Sequence, residues 1–308
     1  MALKKFLMAG IVAAVLVACG DDDSSDFATR PSGDSSSACE DCDGSSSSKA
    51  KSSDSETSVS SSSSAKSSSS SVKSSSSVAY VKPCRTDSVD TCEYGTLTDE
   101  RDGQTYKTVT IGTQIWMAEN LNYAYTGVPY KYTYKDSSYT SDSTSWCYDN
   151  VPANCAKYGR LYTWAAAMDS VGTWSANGKG CGDGKTCSPT YPVRGICPEG
   201  WHLPDTTEWH TLFTAVGGKS TAGKMLKSTS GWNISGNGTD AYAFSALPAG
   251  SRYINGNFNF EGNYASFWSS TEDDSYYAYD LHLRYDFGNA YLYNDLKTYG
   301  LSVRCVKD

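Results

Sequence analysis

The amino-acid sequence predicts a strand-rich α+β domain with two or three short helices, held together by disulfide bonds. Three observations predict this fold class. Apolar and polar residues alternate with period two in several segments, as expected of strands. One segment combines an acidic N-cap with the apolar spacing of an amphipathic helix. The chain contains 11 cysteines in 308 residues, and cysteine-rich exported proteins commonly use disulfide bridges.

The N-terminus has the organisation of an export signal over residues 1–18. Lys4 and Lys5 precede an apolar run over residues 6–18, which is shorter than the roughly 20 helical residues that a bilayer core requires. The run ends in Leu16-Val17-Ala18-Cys19, which resembles the lipobox of bacterial lipoproteins. This resemblance implies cleavage before Cys19 and acylation of that residue. An ordinary cleaved signal peptide that contains a cysteine is the alternative.

A lipidated cysteine predicts where the protein is held. Several acyl chains on one residue give durable attachment, because each buried methylene contributes roughly 0.8 kcal/mol. Gly20 follows the cysteine, whereas aspartate at this position is associated with retention at the inner membrane of enteric bacteria. We therefore expect a lipid-anchored protein of the cell envelope, at the outer membrane and displayed on the surface.

Residues 19–82 are predicted to be the lipidated cysteine followed by a Ser-rich disordered tether. Serine dominates residues 45–77, and a segment with so few apolar side chains cannot offset its ordering entropy by burial. About 60 coil residues have an r.m.s. span of roughly 45 Å. The folded domain is therefore expected at residues 83–308.

The charge of the chain argues against nucleic acid as a partner. Residues 1–18 contain two lysines and no acidic residue, so the remainder has 24 basic and 34 acidic residues and a net charge of −10. Such a surface repels nucleic acid and anionic lipid head groups. We expect membrane contact through the lipid anchor, and the sequence gives no indication of the oligomeric state.

Ten cysteines remain besides Cys19, an even number that predicts a disulfide framework. For Cys39 and Cys42, a redox-active pair is the alternative to a small local loop. Sequence alone leaves the connectivity open. The spacing between neighbours suggests Cys39–Cys42, Cys84–Cys92, Cys147–Cys155 and Cys181–Cys187, which would leave Cys197 to pair with Cys305.

Strands and helices are predicted where the periodicity is clearest. Period-two alternation predicts strands over residues 105–111, 277–284 and 301–305. Asp205 and Glu208 form a capping box before apolar residues spaced as on one helix face, and this helix ends at Gly217. A second helix is predicted over residues 161–168. Gly- and Asn-rich residues 255–263 are predicted to form turns.

Five sequence blocks resemble one family in the same order. They are residues 111–121 (IGTQIWMAENL), 159–168 (GRLYTWAAAM), 197–204 (CPEGWHLP), 267–272 (FWSSTE) and 299–306 (YGLSVRCV). The family is the Fibrobacter succinogenes major paralogous domain, a set of exported proteins that often carry a lipobox and a Ser-rich stretch. The resemblance covers about residues 94–308.

The resemblance implies a C-type lectin-like fold, related to that of formylglycine-generating enzymes. In that fold a Leu-Pro-x-x-x-Glu-Trp block opens a helix and a Gly-x-Arg-Cys block forms the last strand. Residues 203–209 and 300–305 match these blocks loosely. A bridge from near the first helix to the last strand is a lectin-like feature, which Cys197–Cys305 would supply.

Catalysis has little support in the sequence. Formylglycine-generating enzymes act through two cysteines near the C-terminus, whereas here only Cys305 lies in that region. His202, His210 and His282 lack the spacing of metal ligands, and we expect each to be structural. No nucleophile elbow, Walker loop or dinucleotide fingerprint occurs. We therefore expect no catalytic residue and no cofactor.

One acidic segment is the candidate for cation binding. Glu272, Asp273 and Asp274 follow Trp268 closely, and carboxylate oxygens suit a hard cation such as Ca²⁺. An acidic turn between two strands is the alternative. The Glu-Pro-Asn, Gln-Pro-Asp and Trp-Asn-Asp calcium motifs of sugar-binding lectins are absent.

Tyr-rich loops are the candidate ligand-binding surface, because sugar rings stack on aromatic faces while polar neighbours bond the hydroxyls. The alternative is a strand face packed on the core. The candidates are Tyr125, Tyr130, Tyr132, Tyr134 and Trp146 in the first loop and Phe258 and Phe260 in the second. The leading hypothesis is a non-catalytic, surface-displayed binding or adhesion module for polysaccharide. An enzyme acting on surface protein or glycan through a degenerate formylglycine-type site, and a structural or variable coat protein, are the alternatives.

Overall fold

A computed structural model describes residues 79–134, 137–141 and 144–308, and the side chains of residues 132–141 are not described. The predicted export signal, the lipidation residue Cys19, the tether and the Cys39–Cys42 pair lie outside the described residues.

Strands dominate the described chain, in agreement with the predicted α+β class. In chain order the strands are β1 (Tyr94–Thr98), β2 (Thr105–Ile111), β3 (Gln114–Met117), β4 (Tyr130–Tyr134), β5 (Ser137–Ser141), β6 (Ser145–Trp146), β7 (Leu161–Tyr162), β8 (Trp201–His202), β9 (Ser251–Arg252), β10 (Phe258–Asn259), β11 (Tyr264–Glu272), β12 (Tyr277–Arg284), β13 (Tyr291–Leu296) and β14 (Val306–Lys307). The helices are α1 (Pro152–Tyr158), α2 (Trp164–Ala167), α3 (Thr206–Ala215) and α4 (Lys219–Leu226), with a 3₁₀ turn at Tyr148–Asn150.

Two sheets organise these elements. The larger has the order β1-β2-β3-β14-β8, so that the last strand of the chain lies between β3 and β8. The second has the order β11-β12-β13. All the pairings in both sheets are antiparallel. Three two-stranded pairs, β4-β5, β6-β7 and β9-β10, complete the described strands.

The strand predictions succeed where hairpins are regular. β2 and β12 occupy the predicted residues 105–111 and 277–284. The predicted strand over residues 301–305 is wrong in its bounds, because this segment makes single bridges to two different partners. Leu301 bridges Tyr162 and Ser302 bridges Phe267, and regular pairing begins only at Val306.

The helix predictions are confirmed for α3 and wrong in extent for residues 161–168. The Asp205 carboxylate accepts from the Glu208 N–H, and the Glu208 carboxylate accepts from the Asp205 N–H, which is a complete capping box. Leu161–Tyr162 is instead the strand β7, and α2 begins only after Thr163, whose hydroxyl accepts from the Ala166 N–H.

The described residues contain four α-helices rather than the predicted two or three. Neither α1 nor α4 has a side-chain N-cap, so both lack the start signal on which the prediction depends. None of the described helices is long and apolar enough to cross a membrane.

Two apolar cores hold the sheets and helices together. In the first, the rings of Trp116 and Trp209 stack with centroids 4.7 Å apart, and the ring of Phe244 makes an edge contact with each of them. In the second, Trp164 and Trp268 are fully buried. Burying rings of this size supplies much of the apolar stabilisation of such a domain.

A buried arginine fixes the closing segment of the chain. Arg304 is fully buried, and its Nε donates to Asn120 Oδ1 at 2.8 Å. Its Nη2 donates to the Ser245 carbonyl at 2.8 Å, and its Nη1 donates to the Phe244 carbonyl. Because its hydrogen bonds are to neutral oxygens, the guanidinium works as a cross-link between the closing segment and two distant loops.

Four disulfides join the eight cysteines of the described residues. The pairs are Cys84–Cys92, Cys147–Cys155, Cys181–Cys187 and Cys197–Cys305. They coincide with the pairs suggested by spacing. The first three close short local loops, and the fourth spans a sequence separation of 108 residues.

Contacts with the first core include Val81, just before the predicted boundary at residue 83. The Val81 N–H donates to the Ala215 carbonyl at 2.8 Å, at the end of α3. The Tyr242 hydroxyl donates to the Val81 carbonyl at 2.7 Å. These two bonds attach the entering chain to the first core.

Candidate functional site

The two faces of β12 have different surroundings. Leu281 and Leu283 are fully buried in the first core. Asp280 and His282 alternate with them and therefore lie on the opposite face. Ala278, at the start of that face, is buried in the second core.

Pairing extends this second face across the sheet. Ser266 of β11 lies opposite His282, and Tyr293 of β13 lies opposite Asp280. Asp295 lies opposite Ala278 and is therefore a diagonal neighbour of Asp280. The register thus gathers two carboxylates, an imidazole and a tyrosine on one face.

A continuous series of rings borders this face, and we call it the aromatic strip. It consists of Tyr299, Tyr253, Phe260, Tyr264, His282 and Tyr293. Consecutive ring centroids in that order are 4.8, 6.0, 4.5, 5.0 and 5.9 Å apart. The rings come from β11, β12 and β13 and from the connections before and after this sheet.

The strip is accessible from outside the protein. Tyr293 is 56% exposed and Phe260 is 37% exposed, and the other four rings are half-buried. Partly buried rings keep an accessible surface, while contacts with neighbouring rings hold their edges in place. Such an arrangement suits stacking on a flat apolar ligand face.

Two carboxylates lie next to the imidazole of His282, and we call these three groups the Asp–His cluster. One ligand atom each of Asp280, His282 and Asp295 lies within 4.8 Å of the others. Asp280 is fully buried. Neither of its carboxylate oxygens accepts a hydrogen bond from the described residues.

The environment opposes negative charge on both carboxylates. Burial raises the pKa of Asp280, and the neighbouring His282 acts against that rise. Burial, followed by repulsion from Asp280, raises the pKa of Asp295 to about 7. A cation next to these groups would relieve both effects.

Ser266, His282 and Asp280 lie close together but do not form a catalytic triad. The Ser266 Oγ lies 2.8 Å from His282 Nδ1, and Asp280 Oδ2 lies 3.7 Å from the same nitrogen. In a triad the serine and the aspartate bond opposite ring nitrogens, so that the imidazole accepts the serine proton while the aspartate orients the ring and stabilises the imidazolium. This geometry therefore provides no activated serine.

Three of the predicted ligand-binding aromatics are core residues instead. Tyr125, Tyr130 and Trp146 are buried. The Tyr125 hydroxyl donates to Asp169 at 2.8 Å. Tyr130 and Trp146 pack on the buried Arg252 guanidinium, whose carbon lies 5.1 and 3.7 Å from their ring centroids. Their rings cannot stack on a ligand from solution.

The other predicted aromatics have mixed outcomes. Tyr132 and Tyr134 lie on β4, which pairs with β5, and their side chains lie outside what is described. Phe258 is half-buried and packs on Tyr148, 5.3 Å between centroids. Phe260 alone of the seven lies on the aromatic strip.

The predicted cation ligands Glu272, Asp273 and Asp274 are occupied by protein donors. Glu272 bonds the buried Lys297 ammonium and accepts from the Cys187 N–H at 3.0 Å. Asp273 accepts from Asn294 at 2.6 Å. Asp274 accepts from the backbone N–H of residues 276 and 277 at 2.7 and 2.8 Å. The acids hold a turn, which is the alternative stated from the sequence.

The remaining predicted features are structural in the described residues. Trp268 is fully buried, and its indole N–H donates to the Tyr162 carbonyl at 2.7 Å. His202 lies between two carboxylates, and His210 packs edge-on against Phe213 at 5.8 Å. Cys305 is bonded to Cys197. No thiol is therefore present among the described residues for cysteine chemistry.

A cleft of about 820 Å³ on another side of the molecule is the competing site. Tyr94, Glu119, Asn120 and Lys157 are among its lining residues. Hydrogen bonds from the Tyr94 hydroxyl and the Cys92 N–H lower the pKa of Asp90, another lining residue. Asn120 is bonded to Arg304. We favour the strip over the larger cleft, because the strip offers adjoining accessible rings.

The sequence contains a local signal for one part of the strip. Tyr291, Tyr293 and Asp295 alternate with residues 292, 294 and 296, the pattern of a strand with one polar, ring-bearing face. Tyr253 and Tyr299 carry no such local signal, because only the tertiary fold brings residues 253 and 299 together.

Comparison with known proteins identifies the family. A family model described as the Fibrobacter succinogenes major domain matches residues 109–307. Neither a curated protein nor a solved structure matches the chain. Because the family match covers well over half of the sequence, the chain belongs to the Fibrobacter succinogenes major domain family.

Proposed function

We propose that this protein is a non-catalytic polysaccharide-binding module, anchored through a lipid on Cys19 and displayed at the surface of the outer membrane. The observation that carries the proposal is the aromatic strip. Six adjoining rings are held on the rigid β11–β13 sheet and the connections beside it. Rings on such a scaffold bind with little loss of side-chain entropy.

The chemistry of the strip suits a sugar chain. Apolar C–H faces of sugar rings stack on aromatic faces, and hydroxyls need hydrogen-bonding partners at the edges. The strip supplies both, since four of its members carry phenol hydroxyls, and His282 carries ring nitrogens. Its open form also allows a long chain to pass across it, which an enclosed pocket would not.

The arrangement of elements supports a C-type lectin-like fold as part of this proposal. Helix α3 opens directly after Leu203-Pro204. The Cys197–Cys305 bridge joins the segment before α3 to the closing segment. Both are the features that the resemblance to lectin-like domains implies.

The binding proposal is tested by retention of the full chain on insoluble cellulose, xylan and peptidoglycan. We expect retention on at least one of them. Replacing Tyr293 by Ala, or Tyr253 by Ala, should weaken binding about tenfold, which corresponds to roughly 1.4 kcal/mol.

The matched control is Tyr276→Ala, because Tyr276 is 54% exposed but lies outside the strip. Its binding should equal that of the wild type. Tyr94→Ala tests the competing cleft in the same assay. Absence of retention on all three glycans, or equal losses in the strip and control variants, would refute the proposal.

The anchor is tested separately by metabolic labelling with radioactive palmitate. The wild-type chain should be labelled and should sediment with the outer membrane. Cys19→Ala should remove both the label and the sedimentation. Unchanged labelling of the variant would place the lipid elsewhere or show that the labelling is unspecific.

A further inference from the structure

We propose that the Asp–His cluster, formed by Asp280, His282 and Asp295, is a binding site for a divalent transition-metal cation, with Zn²⁺ as the representative ion. This site shares His282 with the aromatic strip, but cation binding does not depend on glycan binding. The proposal rests on the positions of three potential ligands and on an unsatisfied buried carboxylate.

The first observation is the convergence of the three side chains. Asp280 and His282 are two residues apart on β12, and Asp295 reaches them from the adjacent β13. Their ligand atoms all lie within 4.8 Å of one another. Ligands bound to Zn²⁺ at about 2.0–2.2 Å lie roughly 3.4 Å apart in a tetrahedral site. Inward movements of about 1 Å per side chain would therefore close the site.

The second observation is the state of Asp280. Its side chain is fully buried, and neither oxygen has a hydrogen-bond donor in the described structure. A buried carboxylate without a partner is costly, and native proteins satisfy such groups with donors or metals. His282 Nδ1, at 3.7 Å from Asp280 Oδ2, is too far for a hydrogen bond. A cation at the cluster would give the Asp280 carboxylate the partner that it lacks.

The donor set selects the class of cation. Ca²⁺ requires six to eight oxygen ligands, and Mg²⁺ keeps most of its water. One imidazole nitrogen and two carboxylates instead suit Zn²⁺ and its neighbours in the first transition series, which accept three protein ligands and leave a position open. His282 and Asp295 are only partly buried, so an ion can enter from the side of the strip.

The test is the zinc content of the full chain, with disulfides intact, after equilibrium dialysis against Zn²⁺ and measurement by mass spectrometry. We expect the wild type to retain one Zn²⁺ per chain more than Asp280→Asn. This difference excludes any metal held by residues outside the cluster, since both proteins share them. His282→Gln should lose the same ion, and it decides the outcome if Asp280→Asn does not fold.

The matched control is Asp273→Asn, which removes an acid of the neighbouring turn that is bonded to Asn294. It should keep the wild-type zinc content. Equal zinc content in the wild type and in a folded Asp280→Asn or His282→Gln variant would overturn the proposal. Displacement of the ion by equimolar Ca²⁺ would also overturn it. No glycan is present in the assay, so a failure of the binding proposal leaves this result unaffected.

Discussion

His202 shows how a single side chain can join two parts of the chain. Its Nδ1 lies 2.7 Å from the Asp308 carboxylate, and its Nε2 lies 2.7 Å from the Glu208 carboxylate. Burial alone would lower the pKa of His202, but the hydrogen bonds with Glu208 and Asp308 raise it above the ordinary value of 6.5. The fold therefore favours the imidazolium.

This shift predicts a pH dependence of stability. A histidine whose pKa is raised in the fold stabilises it fully below the unfolded value of about 6.5, and the contribution is lost as the pH rises through the folded value. The free energy of unfolding in urea should therefore fall as the pH rises above about 6.5. His202→Gln should remove part of that fall, and an identical pH profile for the variant would contradict the assignment.

Arg252 shows why the sequence does not reveal which of the candidate aromatic side chains are buried. From the sequence, Tyr130 and Trp146 lie in a polar, Tyr-rich segment that favours a binding loop. In the fold, the guanidinium of Arg252 lies against both rings. More than a hundred residues separate Arg252 from either of them, and no local pattern reports such a contact. Phe260 was identifiable because its own loop remains at the surface.

At the scale of elements, the packing of α4 depends on a close approach between its backbone at Gly223 and the connection between β12 and β13. A Cβ on Gly223 would lie 2.1 Å from the Asn289 carbonyl oxygen, in the connection between β12 and β13. The adjacent Lys224 N–H donates to the Gly288 carbonyl at 2.8 Å. Glycine at this position lets the helix backbone touch the connection next to the strip.

Gly223→Ala is therefore expected to destabilise the protein. The substitution gains about 1 kcal/mol of helix propensity, but the clash with backbone should cost about 1–3 kcal/mol or more. Urea unfolding should show a net loss of stability. Ser220→Ala, at an exposed position of the same helix, is the control and should be close to neutral. A gain of stability in Gly223→Ala would show that the connection between β12 and β13 can move away from the added methyl group at little cost.

Elements were predictable where local signals and tertiary pairing agree. α3 has its capping box and apolar face, and β2 and β12 have clear alternation, so the sequence located all three. Residues 161–168 read as one helix because they are small and apolar. Pairing with β6 makes the first part a strand. Tyr162 also bridges Leu301, about 140 positions away, and no local pattern reports either partner.

At the scale of the whole molecule, the disulfides differ in the lengths of chain that they constrain. Cys197–Cys305 spans 108 residues, whereas Cys181–Cys187 spans six. In the chain-entropy model the long loop contributes about 4–5 kcal/mol and the short loop roughly 2 kcal/mol. The long bridge also joins two fully buried residues.

Removing each bridge by paired Cys→Ala substitution tests this difference. Cys197→Ala with Cys305→Ala should lower the free energy of unfolding by about twice as much as Cys181→Ala with Cys187→Ala. Chemical denaturation of the two double variants measures it directly. Equal losses would show that strain or residual structure, rather than loop entropy, decides their contributions.

The attachment of Val81 determines how the domain would bear a mechanical load. Force transmitted along the chain from its N-terminal side acts on the bonds of Val81 with Ala215 and Tyr242. Behind them, Cys84 is covalently closed onto Cys92, and the Arg85 guanidinium holds the Asp240 carboxylate at 2.6 Å. Peeling would therefore proceed over only a few residues before it meets this ion pair and the backbone hydrogen bonds of Cys84 and Arg85 with the Ala241 carbonyl. A pull on the N-terminal side of the domain would therefore strain this short entry segment before it disturbed the sheet that carries the rings.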